Sequence, residues 1–425
     1  MALPLTAQKT CPTKKYMLLA YLPTELRTTL KRAYVFLRQQ YFARVKRAKP
    51  AITPSNCGVN LIGFYRAQLG LGQALRYLAF SLHAKHLAFL VRKLSPTLRT
   101  SQNNLSLQAW VKDHCNYPIN CIAINPDVLH RLPFWISHSE WTQRYNIAYW
   151  FWELEQFPAA WNYALPMIDE IWVNTQFNAN TMRAVHPCVT KIPFAIEFDL
   201  PSAQCNRAYF GLPEERFIYL TSFDFHSFVE RKNPQATITA FIEAFPKRET
   251  AVNLLIKSTH GQDYPEQYQA LQALAKHDPR IIFLDQQLSS EDSHGLLNAT
   301  DCYVSLHRSE GLGLGLAESM YLGKPVIATN YSGNLEFMNA RNSLLVDFEL
   351  VPVLEGQYPH HTNQVWAQAN TQHAALCMQT IFNDSLLRER LGNQARSDMH
   401  TDHSYSAMGE AIAQRLDALA NTPAR

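Results

Sequence analysis

No stretch of the chain approaches the about 20 consecutive apolar residues that span a bilayer. Its N-terminus also lacks the charged start, apolar core and small-residue cleavage site of a secretory signal. The expected location is therefore cytoplasmic. The eight cysteines are scattered, with no C-x-x-C pair and no histidine at zinc-finger spacing, so they read as reduced thiols. There is no D-x-D triplet to share a cation with a diphosphate, and none of the 16 histidines pairs at H-x-x-x-H on a convincing helix. No metal and no other cofactor is expected. Charge is sparse as well: 17% of the residues are charged and 47% are hydrophobic, enough apolar surface for more than one core in 425 residues.

The charge that is present is unevenly placed. Residues 1–50 carry eleven Lys and Arg against Glu25 alone, a net of +10, which leaves −6 for the rest of a +4 chain. From Pro23 to about Arg47, Leu26, Leu30, Tyr34, Leu37, Tyr41 and Val45 recur every three or four positions between basic residues. This spacing predicts a basic amphipathic helix with two open uses, packing on the protein body or lying on an anionic membrane surface. Nucleic acid is not expected as a partner, because nothing downstream supplies a second basic surface or a reading motif.

After Pro50 short apolar runs alternate with helical stretches. Strands are predicted at 57–64, 118–125, 145–152 and 170–174, with helices at 70–83 and 158–168. After a weakly patterned linker, 197–213, the alternation restarts. Strands follow at 217–225, 252–257, 281–284, 302–307 and 325–329, and helices at 234–245, 265–275, 289–299 and 316–322. A loop is predicted between Asp347 and Trp366, then helices near 384–396 and 404–420. Such alternation implies α/β architecture with parallel sheets. The expected domains are a basic segment 1–50, Rossmann-like units 51–200 and 201–400, and a C-terminal helix 401–425 returning to the first unit.

The densest chemical signal is His307-Arg308-Ser309-Glu310-Gly311-Leu312-Gly313-Leu314-Gly315-Leu316-Ala317-Glu318. A strand ends in a glycine-rich turn that opens a helix, so backbone N–H groups and the positive helix end converge where a diphosphate can sit. Carboxylates on both sides of the turn suit the hydroxyls of a sugar and a ribose. This run, continued by Ser319 to Ala328 and by Gly333 with Glu336, resembles the E-x7-E region of the family 4 retaining glycosyltransferases of GT-B fold. By that resemblance Glu310 contacts the donor sugar, Glu318 the ribose, and Gly311, Leu312, Gly313, Leu314 and Gly315 the sugar and diphosphate. Ser222 and His307, near the ends of two strands, join this donor set.

Glu230-Arg231-Lys232-Asn233-Pro234 places two cations just before a helix, where they suit the charge of a departing diphosphate. Relatives carry a separate Arg at the preceding strand end. Here that strand ends Phe223-Asp224-Phe225-His226, so Lys232 is carried over directly and Arg231 takes the missing role. In the first half, Asn60, Gly63, Gly70 and Gly72 resemble the strand and glycine loop of the acceptor face. Glu153, after Trp150 and Trp152, matches by order of elements the group near the anomeric carbon, and Trp152 is a candidate for stacking on sugar. A plain helix cap before Pro158 is the alternative for Glu153.

The resemblance implies a hexosyl transfer, with retention, from a nucleotide diphosphate sugar to a hydroxyl of a saccharide or lipid-linked saccharide, in cell-surface polysaccharide or glycolipid assembly. Two other readings stay open: a nucleotide-sugar epimerase or hydrolase on the same architecture, and a catalytically inactive sugar-binding assembly protein. Neither the base, the sugar nor the acceptor is encoded in a form that can be read from these residues.

Overall fold

The computed structural model describes residues 47–421 apart from 68, 95–101, 276 and 277, together with isolated positions between 26 and 45. The first sheet contains β1 (Val59–Gly63), β2 (Phe89–Arg92), β3 (Val111–Lys112), β4 (Ile119–Ala123), β5 (Tyr145–Tyr149), β6 (Glu170–Val173) and β7 (Val189–Lys191), in the order 3-2-1-4-5-6-7. The second contains β8 (Phe217–Asp224), β9 (Val252–Thr259), β10 (Ile281–Asp285), β11 (Cys302–Ser305), β12 (Val326–Thr329) and β13 (Leu344–Val346), in the order 10-9-8-11-12-13. Every pairing in both sheets is parallel. β1, β4 and β6 are buried at every position, which explains why their sequences are mostly apolar, each with a single buried polar residue: Asn60, Asn120 and Glu170. In each sheet the strand order reverses between its first and fourth strands, so a crevice opens at the carboxyl ends of β1 and β4 in one sheet and of β8 and β11 in the other.

Several elements differ from the sequence expectation. β2, β3, β7 and β13 were not anticipated, being only two to four residues long and offering too little periodicity to read. The helix expected over 158–168 is a 3₁₀ segment, Ala159–Met167, because Pro166 lies inside it and cannot donate to an α-helical ladder. The loop expected between Asp347 and Trp366 holds a hairpin, with β14 (Phe348–Pro352) antiparallel to β15 (Val365–Ala369). Val353, Tyr358 and Trp366 of this hairpin and its connection are buried in the first domain's aromatic cluster with Trp150, Trp152 and Trp161.

Three helices matter for the site and the domain arrangement: α1 (Gly70–Ala84), α2 (Leu314–Tyr321) and α3 (Tyr405–Ala420). The chain crosses into the second domain after β7 and returns at α3, which packs on α1. Their approach is close: a Cβ on Gly409 would meet the Ser81 carbonyl oxygen at 2.3 Å. The outgoing and returning segments also touch, since Ile196 N–H donates to His403 O at 2.7 Å and the His403 ring stacks on Phe194 at 4.1 Å.

The described positions between 26 and 44 are all helical. Leu26, Leu30, Tyr34, Leu37 and Tyr41, the expected apolar stripe, are 42–66% exposed. Tyr34 and Tyr41 lie 6.0 Å from the Phe134 ring and 6.4 Å from the His138 ring of the first domain. Arg47 then anchors the segment through a bidentate pair with Asp169 at 2.6 and 2.9 Å. The expected helix positions 27, 28, 31, 32, 35, 38, 39, 42, 43 and 46 lie outside the described residues, as do residues 1–25. Among the described residues no helix is long and apolar enough to cross a membrane.

The return of α3 is secured by one buried charge. Glu170, on β6, is fully buried and accepts from Arg415 Nε and Nη2 at 2.7 and 2.9 Å, from Trp172 Nε1 at 2.9 Å and from Tyr145 OH at 3.1 Å. Arg415→Met leaves that carboxylate without its cation. The expected result in a urea titration is a loss of roughly 3–5 kcal/mol of unfolding free energy. A loss below about 1 kcal/mol would place the pair among surface interactions instead.

Candidate active site

A cavity of about 750 Å³ lies between the domains at the carboxyl ends of β8 and β11, in the size range of small-molecule sites. Its second-domain wall carries Ser222, Arg231, Lys232, Glu310 and Glu318, with the turn from Gly311 to Gly315 that opens α2; Gly70, Leu71 and Glu153 face them from the first domain. The turn needs glycine for two reasons. Gly313 sits at φ +94°, a left-handed backbone that a side chain disfavours. A Cβ on Gly333, in the neighbouring loop, would come within 2.2 Å of the Gly311 carbonyl oxygen. That loop is tied to the turn by Gly333 N–H donating to Glu310 O at 2.9 Å, and Glu310 N–H donates to Ser332 Oγ at 2.8 Å.

Glu310 is the electrostatic centre. Lys232 Nζ lies 2.5 Å from its Oε1 and Arg231 Nη1 lies 2.9 Å from its Oε2, while Arg231 also donates to Ser309 O at 2.9 Å. Burial alone would push the Glu310 carboxyl up, but the charges of Arg231, Lys232 and His307 outweigh it and hold the group well below the usual carboxylate range. Glu310 is therefore an anion beside the cavity with one buried cation, Arg231, and one partly exposed cation, Lys232. Arg231 and Lys232 belong to a short helix, Val229–Lys232, that ends in a left-handed Asn233. Asn233 Nδ2 holds Leu306 O at 3.1 Å, which locks the pair against the strand leading to Glu310.

The two domains meet through polar contacts around the same turn. Thr175 Oγ1 and Asn178 Nδ2 donate to Gly311 O at 3.2 and 3.0 Å, and Ser309 Oγ donates to Glu153 O. The Glu153 carboxylate accepts from Tyr358 OH at 2.8 Å, and the Arg231 guanidinium lies 5.9 Å from the centre of the Tyr358 ring. Glu153, Tyr358, Arg231 and Glu310 thus form one chain of contacts across the interface.

Other sequence candidates fall away from the cavity. Asn60 sits near the amino end of β1, fully buried, where its Nδ2 donates to Tyr117 O at 2.8 Å and to Asn120 Oδ1 at 2.9 Å. Asn120 in turn donates to Asn146, so the three form a ladder across β1, β4 and β5 that holds strand register instead of a ligand. Gly63 and Gly72 serve packing: a Cβ on the former would meet Ala123 O at 3.1 Å and on the latter Ala67 O at 2.4 Å. His307 is wholly buried, with its ring nitrogens beside Ser305 Oγ at 3.0 Å and Asn334 Oδ1 at 3.1 Å. It supports the turn from behind. Trp152 donates through its indole N–H to Gln156 O at 2.9 Å and packs on Trp161, so it belongs to the aromatic core and not to the cavity wall.

Sequence reasoning missed Tyr77, Lys257, Tyr303 and Tyr358, all of which line the cavity. Tyr303 OH lies 2.8 Å from Ser222 Oγ at the β8–β11 junction. Burial leads the rise of its hydroxyl to about 12, so it stays protonated. Tyr303 and Lys257 carried a signal, their places on expected strands, Lys257 at the very end of one; Tyr77 lay within an expected helix and Tyr358 in an expected loop.

The acid–base behaviour of Glu310 can be tested through stability. Its folded-state pKa is depressed, so the stabilisation it contributes is present above the ordinary carboxylate value of about 4.3 and fades as pH falls below it. Glu310→Gln leaves Arg231 and Lys232 facing each other without an anion. It should cost roughly 3–5 kcal/mol at neutral pH. In urea melts the gap to the wild type should narrow below about pH 4. A gap that does not change with pH would mean the carboxylate charge is not what the cations hold.

No curated protein matches the chain in sequence. Among solved structures, the fold is similar to that of sucrose-phosphate synthase from Thermosynechococcus elongatus, at 18% identity and a TM-score of 0.62, covering 85% of this chain and 98% of that one. It is also similar to Anabaena HepE in complex with UDP and glucose, at 15% identity and 0.60, covering 85% and 99%. A glycosyltransferase from Rickettsia africae superposes at 13% identity and 0.58, covering 86% and 99%. The family model described as glycosyl transferases group 1 matches residues 215–398, the segment that contains Arg231, Lys232, Glu310 and Glu318. The chain thus carries a group 1 glycosyltransferase domain at 215–398, within a two-domain architecture of GT-B fold.

Proposed function

We propose that this glycosyltransferase moves a hexosyl group, with retention, from a nucleotide diphosphate sugar to a hydroxyl of a saccharide or lipid-linked saccharide, in polysaccharide or glycolipid assembly. The observation that carries the reading is the buried Glu310 with its two cations on the wall of a cavity of about 750 Å³. The departing diphosphate needs its growing negative charge stabilised, and Arg231, Lys232 and the first-turn N–H groups of α2 supply that without a bound cation. Glu310 accepts from the sugar hydroxyls and fixes the reacting carbon. Glu318, on α2, holds the ribose. Glu153, fixed by Tyr358 on the opposite wall, faces the sugar from the acceptor side. HepE binds UDP-glucose, which makes that donor the first to try.

Steady-state kinetics with a donor selected by thermal shift tests these roles. A nucleotide at about 100 times its Kd should stabilise the fold by about 2.7 kcal/mol. Glu310→Gln should lower kcat, and Glu318→Gln should chiefly raise the donor KM, by one or two lost charged hydrogen bonds of roughly 1.5–3 kcal/mol each. Both effects should persist in excess EDTA. Wild-type kinetics in both variants would overturn the site, and a Mg²⁺-dependent rescue from EDTA would overturn metal-free transfer.

The lipid-linked acceptor is favoured by the N-terminal segment, whose net charge of +10 accompanies an exposed stripe of Leu26, Leu30, Leu37 and two tyrosines. Each Lys or Arg at an anionic leaflet contributes about 1 kcal/mol, weakened by salt. Sedimentation with phosphatidylserine vesicles should recover the full chain at low salt but not a form lacking residues 1–46. Equal recovery of the two forms would remove the segment from membrane contact.

A further inference from the structure

Beside the donor cavity, at the carboxyl ends of the adjacent strands β8 and β9, three side chains converge that the transfer reaction does not use. Asp224 is the last residue of β8, His226 lies two positions on, and His260 follows the end of β9. The register pairs Asp224 with Thr259, so His260 and the β8 end share one corner of the sheet. Thirty-four positions separate the two histidines, which is why no sequence spacing reveals them.

Their ligating atoms lie within 4.8 Å of one another. Asp224 Oδ1 is 2.8 Å from His260 Nδ1 and 4.0 Å from His226 Nδ1. These separations bracket the ~3.4 Å edge of a tetrahedron whose metal–nitrogen bonds are about 2.1 Å. The imidazole rings stack at 4.0 Å and 20°, with both Nδ1 atoms within 4.0 Å of one carboxylate oxygen; a modest turn of the exposed His226 ring would bring its lone pair onto a shared ion. A fourth residue orients one of them: the other ring nitrogen of His226, Nε2, lies 3.2 Å from Asp263 Oδ2. A proton on Nε2 satisfies that contact and leaves the His226 Nδ1 as a lone pair, while at His260 an incoming ion would displace the Nδ1 proton that faces Asp224 at 2.8 Å. A carboxylate behind a histidine is the usual outer partner of a metal-bound imidazole. Asp224 is also held in place, accepting from the His226 backbone N–H at 2.9 Å. His260 itself sits in left-handed backbone at φ +65°, a conformation in which non-glycine residues are concentrated at functional positions.

We propose that Asp224, His226 and His260 form a binding site for a divalent transition metal of the Zn²⁺ or Co²⁺ class, with Asp263 as its outer-shell support. Two nitrogens and one carboxylate oxygen suit such ions and not Mg²⁺ or Ca²⁺, which require mostly oxygen ligands. Because Asp224 and His226 line the cavity, the remaining coordination position opens toward it. The site differs from the diphosphate cradle, whose charge is met by Arg231 and Lys232. With half-exposed ligands its affinity belongs in the micromolar range.

Chelator-treated full-length protein titrated with Zn²⁺ in a calorimeter, and with Co²⁺ in the visible range, tests this without any donor present. One ion per chain is expected, with the intense visible bands of tetrahedral Co²⁺. His226→Ala and His260→Ala should each remove that binding, and Asp263→Asn should weaken it 10- to 100-fold. A thermal melt in chelator checks that each variant is folded, and if the left-handed position makes His260→Ala unstable, the exposed His226 decides alone. Zn²⁺ binding unchanged in a folded His226→Ala, or no binding to the wild type at about 100 µM Zn²⁺, overturns the proposal: the four groups are then only a hydrogen-bonded network. Loss of nucleotide binding in Glu318→Gln bears on the donor site and leaves this result untouched.

Discussion

The buried ion triad of Glu310, Arg231 and Lys232 is the interaction on which the second domain's working face depends. Burial favours the neutral form of a lone carboxylate, and the adjacent Arg231 and Lys232 cations repel each other. Together they remain charged in a place from which water is largely excluded, where each charge acts over a longer range than it would at the surface. Asn233, the left-handed residue after the pair, and Gly333, which lets the neighbouring loop lie against the turn, both serve to hold the triad's geometry. The stability of the fold and the electrostatics of the cavity therefore share the same atoms.

The first domain contributes to this arrangement mainly through backbone and hydroxyl groups. Thr175 and Asn178 grip the Gly311 carbonyl, while Glu153 is reached from the second domain by both Ser309 and Tyr358. The β14–β15 hairpin is the more unusual bridge, since it starts and ends in the second domain yet buries Tyr358 and Trp366 among the tryptophans of the first. A polar interface alone favours easy separation; this apolar plug opposes it.

Much of this was legible because the chemistry is local in the chain. Glu310, the glycine turn and Glu318 occupy nine consecutive positions, and Arg231-Lys232 directly precede a helix, so residue type and order sufficed. The double α/β alternation was also plain, since buried parallel strands such as β1 and β4 are short, mostly apolar runs, each broken by one asparagine. The misreadings have physical causes. Asn60 has a polar side chain in a strand near a glycine loop, but it lies near the amino end of β1, away from the crevice that forms at carboxyl ends. His307 stands close in sequence to cavity-lining Ser305 and Glu310, but its ring is wholly buried between Ser305 and Asn334 and does not reach the cavity. Tyr358 could not be found at all: it stands in an irregular connection and reaches Glu153 only because the hairpin crosses between domains. The same holds for His226 and His260, which strand register alone brings together.

The contact between the outgoing segment at Ile196 and the returning one at His403 has a mechanical consequence. The two crossings lie side by side, with the Phe194 and His403 rings stacked between them, so the covalent links between the domains run along one narrow line. The hairpin is a second tie: Tyr358, carried by a connection of the second domain, donates to Glu153 of the first, so withdrawing the hairpin from the first domain's aromatic cluster would also release that carboxylate.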